Sequence, residues 1–287
     1  MNCLHPVTVR FDSLNFKIFD FHGKIGLEFP CGKCKACRMN RTREWSLRLI
    51  MEARSFPITD VAFVTLTYND EHLPLFDDGE YVVGNLFKRD VQLFMKRLRK
   101  FLDYPVRYFL VGEYGSLTSR PHYHALLFGL KPDDWDLIDK CWQNGFTMTK
   151  SFYDETAGYV AGYVQKKLFS NDDYAGLQPP FLLCSRGIGL EFFMKHVKQF
   201  SELGYIPNKG FKFAIPRYLK VKAVDAGFMS STSLDEVLMR QRYDKKELYK
   251  VLKDRGLSLD DYEYYQSLKV ESKFNVSNMK RNNNSEV

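Results

Sequence analysis

The sequence predicts an α+β fold in which a mainly antiparallel sheet carries helices on a face. Segments rich in β-branched and aromatic residues occur at 60–70, 106–115 and 122–129, and such segments are typical of strands. Helical patterns alternate with them in the order strand, helix, strand, strand, helix, strand, helix. Strand pairs that are joined by tight turns run antiparallel, which indicates this class of fold.

The composition is that of an ordinary globular chain of 287 residues, long enough for one large domain or a domain with appendages. Hydrophobic residues make up 45% of it, and 24 Phe and 17 Tyr can fill a sizeable core. Lys and Arg outnumber Asp and Glu by 42 to 35. A basic chain with many aromatic rings suits a polyanion, because cations neutralise phosphates and rings stack on bases.

Two absences predict a cytoplasmic protein. No apolar run approaches the roughly 20 residues of a membrane span, and the first residues lack the positive and apolar segments of a secretory signal. The six cysteines are therefore expected to be thiols or metal ligands rather than disulfides.

The N-terminal third begins with short alternating runs in residues 1–30, which predict small strands. A helical pattern follows to about residue 54, and Pro57 ends it. Residues 60–70 read as a buried strand, and the next loop favours a hairpin around Asp78 and Gly79.

The clearest helix covers residues 85–102, where apolar side chains recur at spacings of three and four. Strands at 106–115 and 122–129 come next, then a short helix at 133–142 and a short strand at 145–150. A helix at 154–169 completes the pattern, with acidic residues in its first turn.

The pattern weakens from residue 171, although 233–265 is helical and charged in character and the Asn-rich end predicts disorder. We therefore predict four consecutive segments. They are an N-terminal cysteine-rich region with a basic helix (1–57), a core (58–170), a partly helical accessory region (171–271) and a disordered tail (272–287).

Two histidines, His122 and His124, stand in the segment RPHYHALLFG. Residues two apart on a strand point to the same face, so both imidazoles project from one surface. Glu113 ends the preceding strand and would lie at the same edge if the two strands pair. Two imidazoles and one carboxylate suit Mg²⁺ or Mn²⁺ when the substrate is a phosphate. The alternatives are solvent-facing histidines and a glutamate that only charges a turn.

Tyr159 and Tyr163, in YVAGYVQKKL, are four residues apart and share one face of the predicted helix. Such a pair is also common in core packing, but Lys166 and Lys167 follow within one turn. A phenol with a pKa of about 10 needs a base, a nearby cation or a more reactive electrophile before it attacks. Lys166 offers positive charge, and a divalent cation would polarise a phosphodiester. Attack on DNA would leave a phosphotyrosine ester and a free 3′-hydroxyl.

Four motifs in this order resemble the replication initiators of microviruses, especially the gokushovirus branch, within the HUH endonuclease superfamily. The motifs are CGKCKAC, GEYG, RPHYHALLFG and YVAGYVQKK, over about residues 1–170. The resemblance implies a five-stranded antiparallel sheet with flanking helices, related to the ferredoxin or RNA-recognition-motif arrangement.

The resemblance also implies a metal-dependent, site-specific single-strand DNA endonuclease and strand transferase that initiates rolling-circle replication. One tyrosine would nick the origin, a host polymerase would extend the 3′-hydroxyl, and the other tyrosine would cleave and rejoin; a host helicase is a further possible partner. The implied metal ligands are His122, His124 and Glu113, the nucleophiles Tyr159 and Tyr163, and the assisting lysine Lys166. Tyr123 departs from the family pattern, in which an aliphatic residue is common between the histidines.

Cys31, Cys34 and Cys37 have the spacing C-x-x-C-x-x-C, which lets three thiolates share one metal ion. A tetrahedral Zn²⁺ needs a fourth ligand, and Cys3 and His5 are the candidates, of which we favour Cys3. An iron–sulfur cluster and a site without metal are the alternatives. This zinc knuckle would be structural and separate from the catalytic cation.

Basic side chains near these motifs are candidates for contacts to DNA phosphates. They are Arg38, Arg41 and Arg43 after the cysteines, and Lys167 after the tyrosines. A solvated helix face explains the arginines equally well.

Two other classes of function use some of the same residues. A non-catalytic, zinc-knuckle nucleic-acid-binding protein would explain the cysteines and the basic balance, but it leaves the order of histidines and tyrosines to chance. An iron oxygenase with two histidines and one carboxylate uses the same ligand types, but it gives no reason for the Tyr-Tyr-Lys helix.

Overall fold

The computed structural model of the protein describes residues 3–12, 24–77, 79–115, 118–163, 174, 176–232 and 234–285. The chain divides into two compact units. Unit 1 consists of Met1–Asn40 and Ser201–Val287, and unit 2 consists of Arg41–Phe200.

Unit 2 is built on a five-stranded sheet. Its strands, in sheet order, are β8 (Gly145–Ser151), β3 (Val61–Tyr68), β7 (Pro121–Phe128), β6 (Arg107–Tyr114) and β9 (Phe181–Cys184). Every neighbouring pair is antiparallel. The predicted α+β class and five-stranded antiparallel sheet are therefore confirmed. Strand β9 was not predicted, because a four-residue apolar run shows no periodicity and only its hydrogen bonds to β6 define it.

Helices cover both faces of this sheet. On one face, α2 (Lys88–Phe101) and α3 (Asp136–Cys141) pack against alternate strand residues such as Tyr123 and Leu127. On the other face, α4 (Asp154–Gly162) and the unit 2 part of α1 (Lys35–Ala53) pack against the intervening residues, among them Leu126. The period of two along β7 therefore places His122 and His124 on the α1 and α4 face.

The predicted boundary at residue 57 needs correction. The unit 2 part of α1 supplies Leu49, Ile50 and Ala53 to the core of the sheet, so this basic helix is not part of a separate N-terminal segment. The predicted boundary at 170 also differs from the structure, because β9 extends the sheet beyond it. Long-range packing of this kind leaves no mark in local composition.

The remaining elements of unit 2 follow the prediction with shorter bounds. Strands β4 (Leu75–Asp77) and β5 (Val82–Gly84) are antiparallel, as expected for the hairpin, and Asp78 lies outside the described residues. The described part of the predicted helix 154–169 is α4, and residues 164–173 also lie outside that description. The short helices α5 (Leu190–Lys195) and α6 (Val197–Leu203), which ends in unit 1, were not predicted.

Unit 1 contains two small hairpin-like sheets. Strands β1 (Val7–Asp12) and β2 (Lys24–Phe29) pair antiparallel, which agrees with the short strands predicted at the N-terminus. Strands β10 (Tyr205–Asn208) and β11 (Phe211–Ala214) form a hairpin that was not predicted. Its two loop residues, Lys209 and Gly210, have positive φ values of 45° and 78°, as a two-residue type I′ turn requires.

The C-terminal part of unit 1 is helical. It contains α7 (Arg217–Asp225), α8 (Leu234–Asp254) and α9 (Leu259–Ser285). Helix α9 runs through most of the segment 272–287 that the composition predicts to be disordered, so this prediction needs correction. The helix can continue because Leu259–Ser285 contains neither Gly nor Pro. Among the described residues, none of the helices combines the length and apolar character needed to traverse a bilayer.

Candidate active site

The pairing of β6 with β7 brings the three predicted metal ligands together. Glu113 lies directly opposite His122 in the strand register. Oε1 of Glu113 is 3.2 Å from Nε2 of His124 and 3.6 Å from Nε2 of His122. One ligand atom from each residue lies within 4.8 Å of the others. The condition on which the prediction depended, that these two strands pair, is met.

The spacing of these three donors fits a divalent cation. Adjacent ligands around an octahedral cation with bonds of about 2.1 Å lie about 3 Å apart. The Glu113 side chain is only 4% exposed, and a buried carboxylate requires a compensating charge or hydrogen bonds. A cation between Glu113 and the two imidazoles would provide that charge.

Thr65 on β3 orients His124. It lies opposite His124 in the β3–β7 register, and its Oγ1 is 3.1 Å from Nδ1 of His124. A neutral imidazole that donates its Nδ1–H to this hydroxyl keeps the Nε2 lone pair for a cation. Sequence reasoning missed Thr65, because only the register between distant strands reveals its partner.

Both predicted tyrosines lie against the ligand set. The Tyr163 ring, at the C-terminal end of α4, stacks on the His124 ring with centroids 4.7 Å apart and planes 8° apart. The Tyr163 hydroxyl donates a hydrogen bond to the Tyr159 hydroxyl. Tyr163 is buried and Tyr159 is half-buried. Tyr163 thus belongs to the core, as the packing alternative expects, yet its hydroxyl also reaches the polar site.

The electrostatics keep the buried phenol protonated. Burial raises the pKa of Tyr163 above its ordinary value, and the negative charge of Glu113 and the bond to Tyr159 raise it further. Attack by such a phenol therefore requires that its proton be accepted and that the Glu113 charge be offset.

Gly115 leaves the space that His122 occupies. A Cβ atom at position 115 would lie 2.7 Å from Cε1 of His122, closer than side-chain carbons approach. The glycine that ends the motif GEYG therefore has a steric role beside the site, which its spacing in the sequence did not reveal.

Tyr123, between the two histidines, points to the opposite face of the sheet. Its hydroxyl lies 2.9 Å from the Tyr68 hydroxyl and accepts a hydrogen bond of 2.9 Å from the backbone N–H of Phe87. Phe87 is the N-cap residue of α2. The departure from an aliphatic residue thus connects β7 to the start of α2.

Unit 1 brings four cysteines together. The Sγ atoms of Cys3 and Cys34 are 3.8 Å apart, and those of Cys31 and Cys37 are 4.0 Å apart. Thiolates around a tetrahedral Zn²⁺ with bonds of about 2.3 Å would lie about 3.8 Å apart. A disulfide would need about 2.05 Å, and these cysteines are free thiols. The structure groups Cys3, rather than the exposed His5, with the other three.

Backbone amides within the cysteine cluster favour thiolates. The N–H of Cys34 donates to Sγ of Cys31 at 3.3 Å, and this bond is the main reason that the pKa of Cys31 falls to about 6. The N–H of Cys31 donates to Sγ of Cys3 at 3.2 Å. A thiolate is the form that binds metals, so the cluster is suited to a cation.

The other predicted site residues are not brought to these clusters by the described structure. Arg41 and Arg43 are exposed on α1, and Arg38 donates from Nε to the Lys33 carbonyl at 2.8 Å. Lys166 and Lys167 lie outside the described residues. Their contacts with DNA stay predictions.

Comparison with known proteins identifies the family. The family model of the phage replication-associated protein ORF2 matches residues 61–168, which include the three ligands and both tyrosines. The chain is 32% identical over 250 residues to replication-associated protein VP4 of Bdellovibrio phage phiMH2K, covering 76% of each protein. The chain belongs to the phage replication-associated proteins.

Another relative of this replication-associated protein supports the assignment over nearly the whole chain. Replication-associated protein ORF2 of Spiroplasma virus 4 is 29% identical over 303 residues, which cover 91% of this chain and 92% of the relative. Replication-associated protein A of Enterobacteria phage phiX174 is 22% identical over 290 residues, covering 83% and 54%. No solved structure matches the chain. The predicted resemblance to microvirus replication initiators is confirmed.

Proposed function

We propose that this replication-associated protein is an HUH-type nickase and strand transferase for single-stranded DNA. It would start rolling-circle replication at the viral origin, in the cytoplasm of the host bacterium. The observation that carries the proposal is the contact of the two tyrosine hydroxyls with each other while Tyr163 stacks on His124 of the candidate ligand set.

Glu113, His122 and His124 would hold Mg²⁺ or Mn²⁺. When bound, the cation would act as a Lewis acid on a phosphate oxygen of the DNA. Because three protein donors fill only half of an octahedral shell, positions remain for substrate and water. The buried Glu113 and the bond from Thr65 to His124 hold the donors in place before DNA binds.

The tyrosines would perform a transesterification. One phenol oxygen forms a bond to phosphorus, and the bond from phosphorus to the 3′-oxygen breaks. The phenol gives up its proton, and the departing oxygen gains one, which leaves a 5′-phosphotyrosine and a 3′-hydroxyl. The reaction replaces one phosphate ester by another and is therefore reversible. The adjacent tyrosine can attack a second strand while the first still holds a DNA end.

Further components belong to the same proposal. Lys166 would supply positive charge to the attacking phenol, and Lys167, Arg38, Arg41 and Arg43 would contact phosphates. The four clustered cysteines would hold a structural Zn²⁺. A host polymerase would extend the 3′-hydroxyl, and a host helicase would open the duplex ahead of it.

The test uses single-stranded fragments of a phage genome that encodes this chain, labelled at the 3′ end because the proposed adduct retains that end. Each fragment is mixed with full-length protein, with and without Mn²⁺, and run on a denaturing protein gel. We expect the label to move to the protein only with the cation. Tyr159→Phe and Tyr163→Phe should each retain partial activity, and the double variant none. Tyr153→Phe, an exposed tyrosine beside α4, is the matched control.

A full yield of adduct in the double tyrosine variant would refute the assignment of the nucleophiles. A shift that appears only on native gels would instead support the non-catalytic binding protein. His124→Ala should reduce cleavage by orders of magnitude while DNA binding remains, and unchanged cleavage would remove His124 from the site.

A further inference from the structure

Strand β8, at the edge of the sheet in unit 2, exposes an unusual amount of apolar surface. Phe146 is 67% exposed and Met148 is 38% exposed, and Lys150 is exposed at the next alternate position. The intervening Thr147 points the other way, because its hydroxyl bonds to Asp139 of α3. One face of β8 thus presents an aromatic ring, a thioether and an ammonium group.

The strand register places this face beside the candidate ligand set. Thr67 of β3 lies opposite both Phe146 on β8 and His122 on β7. Residues directly opposite one another in a sheet project from the same face. Phe146 and His122 therefore belong to one row across three strands, about 10 Å apart at the usual strand spacing. Met148, Thr65 and His124 form the adjacent row.

The chemistry of these rows fits an unpaired nucleic-acid strand. An exposed ring can stack on any base, because every base has an aromatic face. Lys150 supplies a positive charge one row further along for the phosphate backbone. The ligand set at the other end of the same rows is where a phosphate would be held. Bases in a duplex are already stacked on their neighbours, so only a single strand could use the ring.

We propose that Phe146, with Met148 beside it, is a stacking platform for an unpaired base that flanks the cleaved phosphate. The inference rests on the proposed function, because it takes single-stranded DNA as the substrate of the adjacent site. The platform would select single strands over duplex without reading the base sequence.

The experiment measures binding separately from cleavage. Full-length protein carrying both tyrosine-to-phenylalanine changes, so that no adduct accumulates, is titrated with Mn²⁺ present into two fluorescent oligonucleotides of equal length. One carries bases throughout, and the other is abasic throughout. Dissociation constants come from fluorescence anisotropy for Phe146→Ala, Phe146→Trp and the matched control Phe211→Ala, which removes a ring that is 70% exposed on β11.

Phe146→Ala should weaken binding of the base-bearing strand by roughly tenfold or more and leave the abasic strand unchanged. Phe146→Trp should bind like the parent, and so should Phe211→Ala. Unchanged binding in Phe146→Ala, or an equal loss on both oligonucleotides, would overturn the platform. A change in the sedimentation of DNA-free Phe146→Ala without a change in DNA affinity would show that β8 instead pairs copies of the chain, and would also overturn it.

These outcomes are distinguishable from failure of the proposed function. If wild-type protein forms the covalent adduct while Phe146→Ala binds DNA normally, nicking stands and the platform fails. If no adduct forms under any condition while Phe146→Ala loses base-dependent binding, the platform stands on a binding protein and nicking fails.

Discussion

Thr65 shows how a residue without catalytic chemistry can control a metal ligand. Its hydroxyl bonds to Nδ1 of His124, so it selects the tautomer that presents Nε2 to a cation. Neither residue is near the other in sequence. The pair exists because β3 lies beside β7 in one particular register.

Replacing this hydroxyl tests its effect on the cation. Thr65→Val keeps the shape of the side chain but removes the hydrogen bond to His124. We expect Mn²⁺ to bind about 10- to 100-fold more weakly, as measured by isothermal titration calorimetry. Thr67→Val is the control, because the Thr67 hydroxyl bonds to the Phe146 carbonyl instead. Equal affinities in Thr65→Val and wild type would exclude this role.

Tyr123 illustrates a second residue whose role lies away from the site. Its buried hydroxyl bonds to Tyr68 and to the backbone at the start of α2. Tyr123→Phe leaves these groups without their partner, and we expect the free energy of unfolding to fall by about 1–3 kcal/mol. Urea denaturation of this variant beside Tyr153→Phe measures the difference. If both variants match the wild type, the hydroxyl does not stabilise the fold.

At the scale of elements, the pairing of β6 with β7 builds the ligand set. Glu113 comes opposite His122 only in the observed register, and a shift by one residue would turn the glutamate to the other face. The loop between the strands must also leave room for the imidazole, and Gly115 does so. The spacing of the two histidines was visible in the sequence, whereas the clearance at Gly115 was not.

A methyl group at Gly115 tests this clearance. Gly115→Ala would push the His122 ring away from Glu113, and we expect cleavage to fall by about 10- to 100-fold with the melting temperature nearly unchanged. The control is Gly158→Ala on α4, where the added carbon would meet only Oγ of Ser46, at 3.8 Å. Full activity in Gly115→Ala would show that the ring tolerates the displacement.

At the scale of the whole molecule, the chain divides into two units with separate candidate metal sites. Unit 1 joins its first and last residues through the cysteine cluster and nearby polar contacts. Lys35, between two of the cysteines, forms an ion pair with Glu271 of α9 and lies 5.4 Å from the Phe274 ring centroid. Lys245 of α8 pairs with Glu28 of β2 at 2.6 Å. A metal at the cysteines would therefore stabilise helices that are far from it in sequence.

Loss of this metal should destabilise unit 1. We expect Cys34→Ser to lose the bound zinc, as measured by mass spectrometry of the metal content, and to make residues in α8 and α9 more sensitive to protease. Cys184→Ser, in unit 2, should keep its zinc. A purified wild-type protein that contains no zinc, or contains iron and sulfide, would overturn the assignment of the metal.

Spacing along the chain alone determined the relations within single elements. It placed both histidines on one strand face, both tyrosines on one helix face and three cysteines within reach of one ion, because backbone geometry repeats regularly over a few residues. The hydrophobic pattern likewise predicted most strands and helices of unit 2.

Only the tertiary structure decided how these elements meet. It set Glu113 opposite His122, stacked Tyr163 on His124, added β9 to the sheet edge and grouped Cys3 with the distant cysteines. Strand register and helix packing depend on contacts between residues far apart in sequence, and local patterns carry no record of them.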